Sequence, residues 1–382
     1  MHRILLLASV VSLAPSVPAQ QTWIVDAKNG TGTHFTDLPA AVAAANDGDR
    51  VLARPGNYAP FKTSKALTIV GDIGASIVST TGPLASVEIT NLPAGSRFVL
   101  AGFVMDWVGV TVQSCDGLVV LSGLATGFSS GVSCHSVHVL NSKAVTMHGC
   151  ALLYPCFRKS RVVASDCIFA PIEIGLNGTA GLYIDGGVTD IVASTIIGGR
   201  GAYNGYGGYA IGIRSSPETI LTIRGDQRSK LVGGSWNNQQ LYAVADFTDQ
   251  GTLRLDPRIQ LTGGVRGFSS RTTTKQTALS AGYSFLGGST RLELIGRRGE
   301  VGAIWLSLGR VPFAFPGIGE WWLDPSVLVF VGAGVLGATE TYPVQLSLSA
   351  NPALRGLEIG YQGMTTTGSS IELSNPVLQV LR

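Results

Sequence analysis

The sequence predicts an all-β chain: a right-handed parallel β-helix, closed at its N-terminal end by a short helix and followed by a small antiparallel β-sandwich. Three observations predict it. Charged residues make up 13% of the chain, hydrophobic residues 45%, and 50 of the 382 residues are glycine. Low charge with dense turn residues suits many short strands and excludes a helical bundle or a disordered chain. Short segments with apolar residues at alternate positions recur through the first two thirds, punctuated by Ser, Asn, Asp and Gly. Beyond about Val265 the texture changes to longer segments with the turn spacing of antiparallel strands.

The elements follow in chain order. Residues 1–19 read as a signal peptide: a weakly basic start at His2 and Arg3, an apolar run over 4–14, and small residues at Val17-Pro18-Ala19. The run is too short to span a bilayer. Cleavage after Ala19 is expected, and no cysteine follows for a lipid anchor. The stretch 327–336 is apolar but short and broken by glycine. No membrane span is expected after cleavage, and the mature chain is expected to be secreted, at the cell surface or periplasmic. With a net charge of +3 and no Lys/Arg cluster, a nucleic-acid partner is not expected.

Residues 22–71 read as strand, short helix, acidic turn, strand, Pro-Gly turn and strand. Thr36 or Asp37 is the expected N-cap, Pro39 lies in the first turn, and the alanines to Ala45 form the helix. Asp47 and Asp49 are turn residues. Such a helix covers the open end of a strand stack, whose backbone would otherwise be unpaired.

The stack continues in repeats. Val145-Thr-Met-His-Gly-Cys150, Val162-Val-Ala-Ser-Asp-Cys167 and Ile191-Val-Ala-Ser-Thr-Ile196 align without gaps, and Val110-Thr-Val-Gln-Ser-Cys115 fits the same mould. Strand alternation points Val145, Met147, Val162, Ala164, Ile191 and Ala193 inward. It points Thr146, His148, Ser165 and Ser194 outward. Cys150, Cys167 and Ile196 follow a bend and return to the core. The five cysteines, 115, 134, 150, 156 and 167, are an odd number, so at least one is free or paired between chains. Cys150 and Cys167 stack on successive coils, within reach of a disulfide, and a ladder of free thiols fits equally. The β-helix is assigned to 20–268, a Thr-rich linker to 269–277, and the sandwich to 278–382.

The N-terminal motifs Gly32-Thr-His-Phe-Thr-Asp-Leu38, Asp47-Gly-Asp-Arg-Val51, Arg54-Pro-Gly-Asn-Tyr58 and Leu67-Thr-Ile-Val-Gly71 resemble the first coil of right-handed β-helix proteins of the pectin lyase-like superfamily. The resemblance covers roughly residues 22–265. It implies a polysaccharide partner and, in part of that superfamily, pectate lyase, pectin methylesterase or polygalacturonase activity. The tail motifs Trp322-Leu-Asp-Pro325, Ala353-Leu-Arg-Gly-Leu357, Tyr361-Gln-Gly363 and Leu373-Ser-Asn375 look like a domain recurrent at the C-termini of exported bacterial proteins. The catalytic signatures of the three enzyme classes are missing here: no Gly-x-x-Asp-Phe-Ile-Phe-Gly, no Asn-Thr-Asp or Arg-Ile-Lys, no Trp-x-Asp-His. No family catalytic residue transfers to any position.

Candidate chemistry is therefore read from the residues. Asp166, Asp185 and Asp190, with Glu173, offer carboxylates for glycoside hydrolysis, which needs two of them roughly 5–9.5 Å apart. Arg161 and Arg200, with Arg158 and Lys159, would hold an acidic sugar. As plain structure, the same aspartates are turn residues. His148, Ser165, Ser194 and Asp166 lie on neighbouring coils and suggest a Ser-His-Asp group, although short polar residues populate any solvated solenoid face. Tyr203, Tyr206 and Tyr209, in a Gly-rich stretch, are candidate sugar-stacking residues or a long coil corner. Trp321-Trp322 reads as structural, one ring facing a core. No metal site is expected: the cysteine spacings are those of the coil, and although the carboxylates could hold Ca²⁺, no acidic loop has EF-hand-like spacing. Asn29 and Asn177 begin glycosylation sequons. The expected function is a non-catalytic carbohydrate-binding, adhesive or structural module on a cell-envelope or polysaccharide surface. The alternative is a lyase or glycoside hydrolase acting on acidic polysaccharide.

Overall fold

The computed structural model describes residues 20–79, 85–126, 136–171, 173–174, 177–199, 208–236, 239–368 and 370–382. Residues 1–19, read above as a signal peptide, and Cys134 lie outside them. The expected right-handed parallel β-helix is present, built as three parallel sheets stacked around one core. Each coil visits the sheets in the same order. The coil through Arg97–Ala101, Val104–Asp106 and Val108–Gln113 is followed directly above by Leu118–Ser122, Ala125–Thr126 and Val137–Leu140. Below, we call these the first, second and third sheets. Two strands, Cys156–Ser165 and Leu182–Val192, run from the third sheet around the corner into the first.

The corners explain the repeat. After the six successive first-sheet strands from Arg97–Ala101 to Ile220–Arg224 one residue has a positive φ: Gly102, Gly123, Gly149, Asp166, Ala193 and Gly225. The next residue then returns to the core, as Cys150 and Cys167 do at 1% exposure. At the corner leading into the first sheet the same device recurs as Asn91, Ser114, Asn141, Lys159 and Gly186.

This geometry corrects three expectations. Val162 pairs with Thr189 and Ala164 with Ile191, so the repeat at 191 is displaced by two residues. Its corner is Ala193. Ser194, expected outside, is 1% exposed and fills the slot of Cys167, whose backbone N–H donates to Ser194 Oγ at 3.1 Å. The Val110 repeat belongs to the third sheet, where Ser114 makes the other corner. The last solenoid strand, Ser270–Thr273, pairs with Thr252–Leu255 and so lies within the segment read as linker. Cys115, Cys150, Cys156 and Cys167 are free, buried thiols.

The capping helix spans Leu38–Ala44. Asp37 caps it, its carboxylate accepting the backbone N–H of Leu38 at 2.8 Å. Leu38, Ala41 and Val42 close the solenoid core. Inside the stack, Thr189 is fully buried between Val162 and Leu221, and its hydroxyl has no partner among the described residues. Burying an unpaired hydroxyl costs roughly 1–3 kcal/mol. Thr189→Val should therefore raise the denaturation midpoint, by about 1 kcal/mol; a lowered midpoint would mean that the hydroxyl is satisfied.

The C-terminal part is a sandwich. A three-stranded sheet of Ala278–Ala281, Ser289–Ile295 and Thr341–Ser347 faces a four-stranded sheet of Val329–Val335, Val301–Ser307, Glu358–Thr366 and Ile371–Val380. Leu279, Leu292, Leu294, Ile304, Tyr361 and Val377 fill the space between. An additional hairpin, Gly309–Phe315 with Gly319–Leu323, was not foreseen.

The sandwich lies along the solenoid rather than beyond its end. Outward residues of the first sheet, Val70, Val99, Leu118, Val120, Ala144 and Val163, pack against Trp322, Leu323, Leu378 and Val380. The outward column that runs Val99, Val120, Thr146, Val163 is apolar under the sandwich apart from the Thr146 hydroxyl. It continues as Asp190, Thr222 and Arg254 beyond it. The corner column also takes part. Gly149 has φ +59°, and a Cβ there would stand 2.6 Å from the Tyr283 ring; at Gly123 it would meet the Arg382 guanidinium at 3.1 Å.

Candidate functional site

Two groups of sequence-selected residues sit on the first sheet, and the sandwich decides what each can do. The first is the His148 cluster. His148 and Ser165 are outward neighbours on adjacent strands, as expected, yet both are buried, at 2% and 1% exposure. The strand Ile371–Val380 lies over them. Gln379 fixes the imidazole. Its carbonyl oxygen accepts from Ser284 Oγ, and its amide donates to Gly282 O at 2.6 Å and to His148 Nε2 at 2.9 Å. Nε2 is therefore the acceptor, and Nδ1–H donates to Ser165 Oγ at 3.1 Å. Burial, with the Arg382 cation nearby, pushes His148 down to about 3, so the ring is neutral.

Asp166 occupies the left-handed corner beside this ring. It accepts from Ser280 Oγ at 2.7 Å and from the Ala281 backbone N–H at 3.3 Å. Burial still raises its carboxyl to about 7. Its Oδ2 lies 3.7 Å from His148 Nδ1, the same nitrogen that faces Ser165. A catalytic triad needs nucleophile and acid on opposite nitrogens of the ring. Here both are on one side, the other is held by Gln379, and no substrate reaches Ser165. The cluster is a clasp between the two parts of the chain.

The second group lies where the apolar cover ends. A cleft of about 340 Å³ opens between the first sheet and the sandwich. Its floor is Arg161, Val188, Asp190, Ile220, Thr222, Arg224 and Arg254. Its far wall is Ile318 to Glu320, Trp322, Glu372, Leu373 and Gln276. Strand alternation puts the floor residues on one outward face, since Asp190 pairs with Val163 and Thr222, and Thr222 with Arg254. The structure thus brings Arg161 and Asp190 into one cleft. It adds Arg224, Arg254, Gln276, Glu320 and Glu372, which sequence reading did not select. The alternation of Thr222 and Arg224 with inward Leu221 and Ile223 was a signal for one of these positions, Arg224.

Most charges in the cleft are already paired. Arg224 grips Asp190 through two bonds, Nε to Oδ1 at 3.0 Å and Nη2 to Oδ2 at 2.7 Å, and donates to the carbonyls of Thr277 and Leu373 at 3.0 and 3.2 Å. Arg161 pairs with Glu320, its guanidinium 5.7 Å from the centre of the Trp322 ring. Glu372 accepts the Thr277 backbone N–H at 2.9 Å. Three donors in the cleft lining lack a partner among the described residues. Arg161 Nε and Gln276 Nε2 are buried without a partner, and Gln276 is only 8% exposed. Arg254 is exposed and makes no hydrogen bond or ion pair with a described residue.

The remaining selected residues lie elsewhere. Asp185 is on the outer face of the third sheet, 3.6 Å from Arg158 and in register with Arg214, away from Asp166 and Asp190. Tyr209 is 8% exposed, its ring edge-on to Phe247 at 5.2 Å; it is a corner residue. Arg200, Tyr203 and Tyr206 lie outside the described residues, as does the Glu173 side chain. Among the described residues no group of three or more His, Cys, Asp or Glu side chains is placed to hold a metal ion. No helix among them is long and apolar enough to cross a membrane.

No family model matches the chain, and no curated protein matches it. Among solved structures, the enzymatically active domain of bacteriophage CBA120 tailspike protein 2 is similar over 87% of this chain, at 10% identity and a TM-score of 0.26. The match takes in 64% of that chain, so it spans less than two thirds of the solved structure's own length.

Proposed function

We propose that this protein is an exported, non-catalytic relative of the pectin lyase-like β-helix proteins, and that it holds a short stretch of acidic polysaccharide in the cleft between solenoid and sandwich. The observation that carries this is the exposed Arg254 guanidinium on the cleft floor, across from the exposed Ile318 side chain, with Arg161 Nε and Gln276 Nε2 buried in the cleft lining without a partner. A carboxylated sugar presents matching groups, a planar anion for arginine and a C–H face for Ile318. A volume of about 340 Å³ is at the small end of ligand pockets, which begin near ~300 Å³, and suits one or two sugar rings. The pairing of the carboxylates supports binding over hydrolysis: Asp190 is gripped by Arg224 and Glu320 by Arg161, while Glu372 accepts the Thr277 backbone N–H.

Calorimetric titration with oligogalacturonate, against a neutral oligosaccharide of the same length, tests this. Binding of the acidic ligand is expected, and Arg254→Ala should weaken it about tenfold or more, as loss of a charge-assisted contact of ~1.5–3 kcal/mol implies. Equal binding of the neutral chain, or undiminished binding by Arg254→Ala, would overturn the reading. Release of new reducing or unsaturated ends would overturn its non-catalytic part.

A further inference from the structure

We propose that two copies of this chain join edge to edge through the sandwich strand Val329–Val335, paired antiparallel about a two-fold axis at Gly332. This strand is the outermost of the four-stranded sheet, hydrogen-bonded to Val301–Ser307 on one side. Among the described residues no strand pairs with its other side. From Ser326 to Thr339 the sequence has neither charge nor proline. Edge strands are ordinarily blunted by such residues, because an open row of backbone groups recruits another strand. The only irregularity in its pairing with Val301–Ser307 is a one-residue register shift beside Ile304 and Trp305.

The surface around this edge is apolar to match. Val301, Val327, Val329, Phe330 and Val335 are 46%, 48%, 54%, 59% and 64% exposed. Phe330 stacks edge-on with Trp305 at 6.2 Å, which adjoins Trp321 and, through it, the exposed Phe315. Together with Leu328 these side chains expose on the order of 500–600 Å², at the upper end of the roughly 300–600 Å² that the largest patch of a monomer spans, and about two thirds of the ~800 Å² per partner of a stable interface. The paired backbones would supply much of the rest.

The occupant is identified by the strand's own sequence, Val-Phe-Val-Gly-Ala-Gly-Val. Turned end for end about Gly332, Val329 meets the second copy's Val335, Phe330 meets Gly334, and Val331 meets Ala333. Each large residue is opposite a small or β-branched one, and the Phe330 ring covers a bare glycine backbone. A closed two-fold pairing consumes the edge in both copies, so assembly stops at a dimer.

Sedimentation equilibrium of the full chain at tens of micromolar tests this. Wild type is expected to be a dimer. Val329→Lys, at an exposed position, should dissociate it at least tenfold more readily, with an unchanged circular dichroism spectrum. The double variant Val329→Lys/Val335→Glu should recover the dimer, because the register sets each lysine opposite a glutamate. A monomeric wild type, a Val329→Lys variant that stays dimeric, or a double variant no tighter than the single one would each overturn the proposal.

Discussion

Replacing Trp322 by alanine should destabilise the protein by about 3–5 kcal/mol, the range for removing a fully buried aromatic ring. Among the described residues Trp322 is the largest fully buried side chain, at 1% exposure. It sits in the cluster that joins Val99, Val120 and Val163 of the solenoid to Leu323, Leu378 and Val380 of the sandwich. Its backbone N–H is held by Gln362 Oε1 at 2.9 Å, and Gln362 also donates to Glu320 O and Ser374 O. Truncation would therefore leave a cavity at the junction while the strands stay registered. Equilibrium urea unfolding should show a lower midpoint, with the sandwich released before the solenoid, and Trp322→Phe should recover part of the loss. If Trp322→Ala unfolds with the wild-type midpoint, the apolar junction is not what joins the two parts.

The second large effect is a pair of opposed pH dependences at the clasp. His148 is held near 3 against an ordinary 6.5, so it is neutral in the folded state and takes up a proton only on unfolding. Its contribution to stability is complete above pH 6.5 and is lost as the pH falls towards 3, on the order of 4–5 kcal/mol in all. Asp166 is raised from 3.8 to about 7. Its contribution is complete below about pH 4 and is lost as the pH rises through 7. Its total contribution is the smaller, because 23% of the Asp166 side chain remains exposed. Between pH 4 and 6.5 the two oppose each other in the wild type. Asp166→Asn should uncover the histidine alone, and its urea midpoint should fall steeply from pH 6.5 to 4. His148→Gln should uncover the aspartate alone, and its midpoint should rise over the same interval. Parallel pH profiles for the two variants would show that neither group titrates as its surroundings dictate.

How much of this was legible in the sequence depends on how local each signal is. Inward positions such as Val145, Met147 and Val162 follow from strand alternation, and the corners at Gly149 and Asp166 follow from turn chemistry. Both are encoded within a few residues. The repeat at 191 was misaligned because its corner is Ala193, which has no turn signature, and because Ser194 stands where the neighbouring coils have cysteine. The sandwich cover was written more faintly. Leu118-Val-Val-Leu121 and Phe98-Val-Leu-Ala101 are apolar without alternation, as strands buried on both faces are, but nothing local says what buries the second face. The cleft was least legible. Arg161 and Asp190 came from sequence, yet Gln276, Glu320 and Leu373 reach them only through the docking of a second domain.

That docking also imposes an order of events on a ribosome. The apolar outward column is complete once Val163 has been made, but the strand that covers it, Ile371–Val380, is synthesised roughly two hundred residues later. At about 5–20 residues per second the finished solenoid face waits on the order of ten to forty seconds for its partner. During that interval Val99, Leu118, Val120 and Val163 form a sticky stripe on an otherwise folded rod. A truncation that removes only the final strand would leave it bare for the lifetime of the molecule.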